Sequence, residues 1–258
     1  MPNHVTSKIT VSGPAEDVAA FKALMIREEP TLYGQFHADP ALRGQPTGET
    51  ETIFDFGRII PRPEILERTE ESGDSALGLF ALGVENSETT FGFPAPNPLT
   101  YPWVKDLGIE TREQMLAWLE KERPEAIAAA KTAIEAKKLT GHTSWYPWSI
   151  ANWGTKWNAY SFQLHEEAPG RLVYTHDTAW SFPEPVYDAL SERFPTLRIC
   201  IACFDECSCF AGRGAYNAGP DDQPFEIVDA TDSIYEEVYG HPPERFDDEE
   251  PEAGPATA

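Results

Sequence analysis

Basic residues are scarce in this sequence, with 20 Lys and Arg against 43 Asp and Glu and a formal net charge of −23. Proteins that bind nucleic acid gain much of their affinity from Lys and Arg side chains that neutralise phosphates. The deficit therefore argues against direct nucleic-acid binding. Strong acidity favours solubility, and it also favours attraction to a basic partner or imitation of nucleic acid.

Long apolar runs are also missing, because no stretch approaches the ~20 consecutive apolar residues that span a bilayer. The first residues lack the basic segment and apolar run of a secretory signal. We therefore expect a cytoplasmic protein that does not enter a membrane. Hydrophobic residues at 41% of 258 residues still suffice for a sizeable core.

Only four cysteines are present, Cys200, Cys203, Cys207 and Cys209, and they fall within ten residues. Structural zinc sites take two CxxC pairs that are well separated in sequence, which this spacing does not provide. Cys200 and Cys203 lie on a predicted strand and should point to opposite faces, so one metal cannot easily bind both. We expect these thiols to act as small hydrophobic groups, and we expect no metal and no cofactor.

Catalytic motifs are absent as well. The sequence contains no HExxH, GxSxG or P-loop pattern, and His142, His165, His176 and His241 are scattered. We therefore predict no catalytic residues.

Aromatic residues, in contrast, are concentrated in residues 145–158, the tryptophan segment, which holds four of the seven tryptophans and one tyrosine. Each large ring buries roughly 150–250 Å², so this segment should be a packing hub, a binding surface, or both. Pro147 and Gly154 interrupt helical and strand periodicity, which predicts an ordered loop. The candidate binding residues are Trp145, Trp148, Asn152, Trp153, Lys156, Trp157, Asn158, Asp177 and Trp180.

Within this set we expect Trp153 and Trp157 to be largely buried. Lys156 should reach solvent or an acidic neighbour, because its aliphatic stem can lie on a ring while the ammonium stays hydrated. The polar members can equally serve to satisfy backbone and indole groups.

Alternating apolar residues predict an α+β fold built around four strands. The strands are expected over 5–11, 159–165, 171–178 and 197–204, with helices over 14–28 and 183–194 on one face of the sheet. Their order matches a ferredoxin-like split βαββαβ antiparallel sheet with a long, mostly helical insertion after the first helix. A capping box at Ser181 is expected to start the second of these helices.

Three regions follow from this order. Residues 1–29 and 151–220 form the discontinuous core, and residues 30–150 form an insertion. The insertion is expected to hold a loop over 30–52, an irregular excursion over 69–102 and a helical hairpin that starts at a Thr111 capping box. Residues 221–258 hold thirteen acidic residues and one basic residue, so we expect an acidic tail that is partly disordered, chiefly over 247–258.

Several short segments resemble the YubB-like proteins of plasmids and phages, a family named for a ferredoxin-like domain. The segments are 11–18, 54–56, 59–64, 145–148, 152–158, 177–181 and 210–212. The run Asn-Trp-Gly-Thr-Lys-Trp-Asn over 152–158 is the most specific of them. The resemblance covers roughly residues 4–216. It implies a ferredoxin-like topology without an iron–sulfur cluster and an origin on a mobile element, and it brings no known activity.

Three functions remain open at this point. The leading hypothesis is a non-catalytic binding protein that acts on a host macromolecule, most simply a protein, through an acidic surface, as in counter-defence or nucleic-acid mimicry. The alternative is a small-molecule binder or enzyme with a site beside the tryptophan segment. A third is a nucleic-acid binder that uses sheet aromatics, which the acidity opposes. The oligomeric state stays open.

Overall fold

A computed structural model of the chain describes residues 3–34, 37–84 and 97–244. The strands are β1 (His4–Ser12), β2 (Ile26–Leu32), β3 (Pro46–Phe54), β4 (Tyr160–Ala168), β5 (Arg171–Ala179), β6 (Arg198–Asp205), β7 (Ala211–Tyr216) and β8 (Glu226–Val228). The helices are α1 (Ala15–Met25), α2 (Glu64–Glu67), α3 (Gly73–Ala81), α4 (Pro102–Asp106), α5 (Arg112–Glu122), α6 (Pro124–Thr140), α7 (Trp145–Trp153), α8 (Glu184–Arg193) and α9 (Asp232–Tyr239).

Strand β1 is central to a six-stranded sheet with the order β4-β5-β1-β6-β7-β8. Each neighbouring pair is antiparallel, and Ile9 lies opposite Tyr174 on one side and Ile201 on the other. The predicted antiparallel sheet that contains 5–11, 159–165, 171–178 and 197–204 is therefore confirmed. The α+β class with antiparallel sheets is confirmed as well.

Both faces of this sheet are covered by helices. Every second residue of β1 is fully buried, and three of these residues, Val5, Ile9 and Val11, belong to one core cluster. Helices α1 and α8 contribute to the same cluster, with Phe21 and Phe194 packed edge to face at 5.6 Å. On the opposite face α9 packs against β6, where Val238 and Phe204 share a smaller cluster. The predicted placement of α1 and α8 on one face of the sheet is thus confirmed.

Two segments near the start of the insertion differ from prediction. Helix α1 ends at Met25 and not at residue 28, because Ile26 already adopts an extended backbone (φ −108°, ψ 124°). The predicted loop over 30–52 contains most of β3, which pairs with β2 as a separate two-stranded sheet. Both strands are largely exposed, so they lack the alternation of apolar and polar residues that marks a half-buried strand.

The insertion also contains a helix, α3, inside the stretch that was predicted to be irregular. Its start is capped by Ser72, whose side chain accepts a hydrogen bond from the Ser75 N–H. The helical hairpin of α5 and α6 is confirmed, including the Thr111 capping box. Helix α3 packs closely on α6, since a Cβ at Gly78 would lie 2.2 Å from the Ala126 carbonyl oxygen.

The acidic C-terminal region is ordered as far as the structure describes it. Strand β8 pairs with β7, and α9 begins at Thr231, whose side chain caps the Ile234 N–H. Residues 247–258, which the sequence predicts to be disordered, lie outside the described residues. The expected capping box at Ser181 is wrong, because α8 has no side-chain cap and Ser181 Oγ donates instead to the Gly154 carbonyl.

Across the described ranges, no helix combines the length and apolar character needed to cross a bilayer.

The core also holds a histidine with no exposure. His176 Nε2 lies 2.9 Å from the Tyr187 hydroxyl, and its ring stacks on Phe54 at 5.5 Å. Burial lowers the pKa of His176 from 6.5 to about 3, because the imidazolium would lose its hydration. The unfolded chain therefore binds a proton at this site below pH 6.5, whereas the folded protein does not until about pH 3.

We predict that His176→Phe reduces the acid sensitivity of the fold. Wild-type stability should fall by a few kcal/mol as the pH decreases from 6.5 towards 3, and the variant should lose less over that window. Urea unfolding at several pH values measures this difference. His165→Phe, a matched change at an exposed position of β4, should follow the wild type. Parallel pH profiles for wild type and His176→Phe would contradict the prediction.

Candidate functional site

The first nine of the fourteen residues of the tryptophan segment form the helix α7, so the prediction of a loop throughout is wrong. Pro147 lies in the first turn, where a missing backbone N–H costs no intrahelical hydrogen bond. Gly154 terminates the helix with φ at +77°, a left-handed conformation that glycine adopts without strain. The two residues that break the periodicity therefore occupy the two ends of one short helix, and only residues 154–159 are irregular.

Two of the candidate tryptophans are packing anchors. Trp148 is 5% exposed and Trp153 is 3% exposed, and their rings meet edge to face at 5.5 Å. The indole N–H of Trp153 donates to the Ile60 carbonyl at 2.9 Å. The guanidinium of Arg62 lies 4.4 Å from the Trp153 ring centroid. The expected burial of Trp153 is confirmed, and these contacts fix α7 against the segment after β3.

The candidate asparagines also serve the fold. Asn152 Nδ2 donates to the Trp148 carbonyl one turn earlier. Asn158 Oδ1 accepts from the Phe56 N–H at 2.8 Å, and Asn158 Nδ2 donates to Asp55 Oδ1 at 2.9 Å. Asp55 is further held by Arg27 Nε at 2.7 Å. Asn158 therefore joins the tryptophan segment to the end of β3.

Trp157 differs from expectation, since 37% of its surface is exposed. Lys156 is partly exposed, and its ammonium lies close to three aromatic rings. Lys156 Nζ lies 4.6 Å from the Trp157 centroid, 4.7 Å from Trp180 and 5.5 Å from Tyr146. Cations within about 6 Å of a ring face are attracted by the ring quadrupole. Tyr146, Trp157 and Trp180 thus form an ammonium cage.

Three separate elements position the rings of this cage. Tyr146 lies on α7 and meets Trp180 edge to face at 6.2 Å and Trp145 edge to face at 5.8 Å. Trp180 follows β5 with φ at +72°, which is uncommon for a residue other than glycine. Its N–H donates to the Asn3 carbonyl, which holds it beside the start of β1. Thr155, just before Lys156, donates to the Ala179 carbonyl at 2.8 Å.

Acidic side chains lie near the rings of the cage and the neighbouring Tyr160. Trp157 contacts Tyr160 at 6.4 Å, and the pKa of Tyr160 is raised to about 12 by burial and by the charges of Asp177 and Glu206. The pKa of Tyr146 is raised by burial and by the charge of Glu71. An additional cation at this surface would therefore enter a negative potential.

Several polar groups around Tyr160 already have partners. His4 Nδ1 lies 2.7 Å from the Tyr160 hydroxyl, and the His4 backbone N–H donates to Glu206. Asp177 Oδ1 accepts from Thr6 Oγ1 at 2.8 Å. These contacts hold β1, β4 and β5 in register, and Asp177 belongs to this network beside the cage.

The four thiols differ in how far they are exposed to solvent. Cys203 is buried and its pKa is raised to about 12 by burial, whereas Cys207 and Cys209 are exposed in the turn after β6. Cys200 is partly exposed and lies opposite Thr10, while Cys203 lies opposite Ser7 on the core side of the sheet. Among the described residues no group of three or more His, Cys, Asp or Glu is arranged to hold a metal.

Two surface cavities lie away from the cage. One of about 360 Å³ is lined by residues around α9, including Tyr235 and His241. The other, of about 410 Å³, lies beside α1 and includes Lys22 and Glu167. Neither adjoins the tryptophan segment, so they give no support to the small-molecule alternative there.

Tyr146 and Tyr160 adjoin Lys156 and Trp157 but are not among the candidate binding residues that the sequence predicts. The adjacency of Lys156 and Trp157, within a segment so rich in rings, was the available signal for a cation held by aromatic faces. The contribution of Trp180 depends on its unusual backbone conformation, for which the sequence carries no local signal.

No protein-family model and no curated protein sequence matches the chain. Among solved structures, the chain is similar to the crystal structure of the protein api92 from Yersinia pseudotuberculosis, which is described with the family name DUF1281. The two are 12% identical, the match covers 90% of this chain and 99% of that one, and the TM-score is 0.41. A likeness of this size carries no argument about fold or function, so both rest on the geometry described above.

We predict that Asn158→Ala destabilises the protein by about 2 kcal/mol, because the change removes three hydrogen bonds and leaves the Phe56 N–H without its acceptor. Chemical denaturation measures the loss. Asn152→Ala is the matched control and should cost clearly less, since Asn152 bonds only to the preceding turn of its own helix. Equal effects of the two changes would show that Asn158 does not fix this junction.

Proposed function

We propose that this protein is a non-catalytic interaction module that binds a basic segment of a partner protein. The binding surface consists of Tyr146, Lys156, Trp157, Tyr160 and Trp180, which we call the aromatic surface. The observation that carries the proposal is the Lys156 ammonium, held 4.6 to 5.5 Å from three ring centroids. It identifies a place on the protein where rings stabilise a cation.

Charge supports the same partner chemistry. The chain has a net charge of −23, and Glu71, Asp177 and Glu206 lie near the aromatic surface. Complementary charge accelerates encounter and excludes partners of the wrong sign. An acidic surface with exposed aromatic area therefore suits a lysine-rich or arginine-rich segment better than it suits nucleic acid.

The polar groups near the aromatic surface are already hydrogen-bonded within the fold, which favours binding over catalysis. Asp177 is hydrogen-bonded to Thr6, His4 to Tyr160, and Asn158 to Asp55. Each contact joins two segments of the fold. A nucleophile with an adjacent base and a third group that orients the base, the usual arrangement for covalent catalysis, does not occur in this network.

The finer fold assignment and the biological setting belong to the same proposal. The order β4-β5-β1-β6, with α1 and α8 on one face, supports a ferredoxin-like βαββαβ core. Residues 30–150 are then an insertion between its first helix and its second strand. Together with the short segments that resemble YubB-like proteins, this supports a plasmid or phage origin and a host protein in the cytoplasm as the partner.

We predict that Trp157→Ala weakens binding of a fluorescein-labelled Lys-Gly repeat peptide by at least about tenfold, because a central exposed aromatic residue carries much of an interface's binding energy. Fluorescence anisotropy measures the affinity. A Glu-Gly repeat peptide of the same length should not bind, and added salt should weaken binding of the Lys-Gly peptide.

Trp103→Ala is the matched control, because Trp103 has the same exposure, 38% against 37%, but lies on α4 among the insertion helices. This variant should bind the Lys-Gly peptide like the wild type. Unchanged affinity in Trp157→Ala, with both variants folded by circular dichroism, would refute the proposed function.

A further inference from the structure

The geometry points to a more specific ligand for the aromatic surface. We infer that the ammonium cage recognises an ammonium group at the end of an aliphatic side chain, whether primary or N-methylated, and that Lys156 occupies the cage as an internal competitor in the free protein. This inference rests on the proposed function, since the ligand is a group presented by the partner.

The first argument is the arrangement of the rings. The Lys156 ammonium lies close to three aromatic centroids, two of which belong to tryptophans, the strongest of the aromatic side chains in attracting cations. Tyr146 and Trp180 meet at an interplanar angle of 88°, so their rings form two walls of a corner. Such a corner surrounds a compact cation on more than one side.

The second argument is access. Trp157 forms one wall and is 37% exposed, Trp180 is partly exposed and Tyr146 is buried, so the cage opens to solvent on its Trp157 side. Lys156 reaches it on a flexible, unbranched side chain from the irregular residues 154–159. The side chain can therefore leave by rotation of its own bonds. The buried Thr155 anchors the backbone before it, so the cage walls need not move.

The third argument is the chemistry of the ligand. Ammonium is a compact charge that a corner of rings can surround, whereas guanidinium is planar and fits best against one ring face, as Arg62 does beside Trp153, or in two-point contact with a carboxylate. Quaternary ammonium groups are recognised by aromatic cages because ring faces stabilise the positive charge. Primary and N-methylated ammonium groups therefore share one mode of binding here and differ in strength.

The test is to remove the internal competitor. Lys156→Ala should empty the cage, and isothermal titration should then detect choline binding at least about tenfold tighter than in the wild type. Lys156→Met is the matched control, because its unbranched apolar chain still covers the rings and should keep the wild-type weakness. The neutral analogue 3,3-dimethyl-1-butanol has the shape of choline without its charge, and it should bind Lys156→Ala at least about tenfold more weakly than choline does.

A second variant distinguishes a cage from a site elsewhere. Adding Trp157→Ala to Lys156→Ala should abolish choline binding, while adding Trp103→Ala should leave it intact. Thermal melting confirms that each protein is folded. If a folded Lys156→Ala does not bind choline more tightly than the wild type, or binds the neutral analogue equally well, the inference is wrong.

These results separate the inference from the proposed function. If the Lys-Gly peptide binds through Trp157 and choline does not bind Lys156→Ala, the interaction surface stands and the cage does not. If choline binds Lys156→Ala and the peptide binds no variant, the cage stands and the proposed partner is wrong. Trimethylated and unmodified Lys-Gly peptides, compared on Lys156→Ala, report which ammonium class the cage prefers.

Discussion

The structure depends on one strand pairing with two others that are distant in sequence. Thr6 of β1 hydrogen-bonds Asp177 of β5 across 171 residues, and β6 pairs with the other side of β1. Closing so long a chain segment costs configurational entropy, which the buried faces of all three strands must offset. The insertion lies within that closed segment. A hydrogen bond between Asn158 and Asp55 joins the insertion to the sheet, because it connects the end of β3 to the segment before β4.

The same closure assembles the aromatic surface. Tyr146 belongs to the insertion side, Trp157 to the connection into β4, and Trp180 to the end of β5, so no single element carries the cage. Trp180 is placed by a left-handed backbone conformation that a large side chain seldom adopts, and the surrounding contacts must hold it there. Burial is divided within the tryptophan segment, with Trp148 and Trp153 stabilising the fold and Trp157 presenting a ring to solvent. Buried packing and solvent exposure thus fall to different members of one cluster of rings.

The sequence predicts those parts of the structure whose signals come from neighbouring residues. The strands β1, β4, β5 and β6 and the Thr111 cap were predictable, because alternation and capping are properties of adjacent residues. The exposed β2–β3 ribbon was not predictable, because it lacks an apolar face. Helix α7 was not predictable either, because residues that usually interrupt a helix mark its start and its end. The cage required the relative positions of Lys156 and Trp180, which only the three-dimensional structure provides. Trp153 and Trp157 lie in the same aromatic-rich segment, and tertiary packing sets how much of each ring is exposed.

The position of Lys156 also bears on how copies of the protein meet one another. Lysines such as Lys121, whose side chain is 81% exposed, are present on the surface of every copy. An open cage on one copy facing a lysine on the next would create a head-to-tail contact, and contacts of that kind extend into open chains unless the rotation between copies closes a ring. Because each copy fills its cage with its own Lys156, a lysine of a neighbouring copy has no open cage to enter, and this head-to-tail contact is prevented. The surplus of acidic charge also keeps neighbouring copies apart by mutual repulsion.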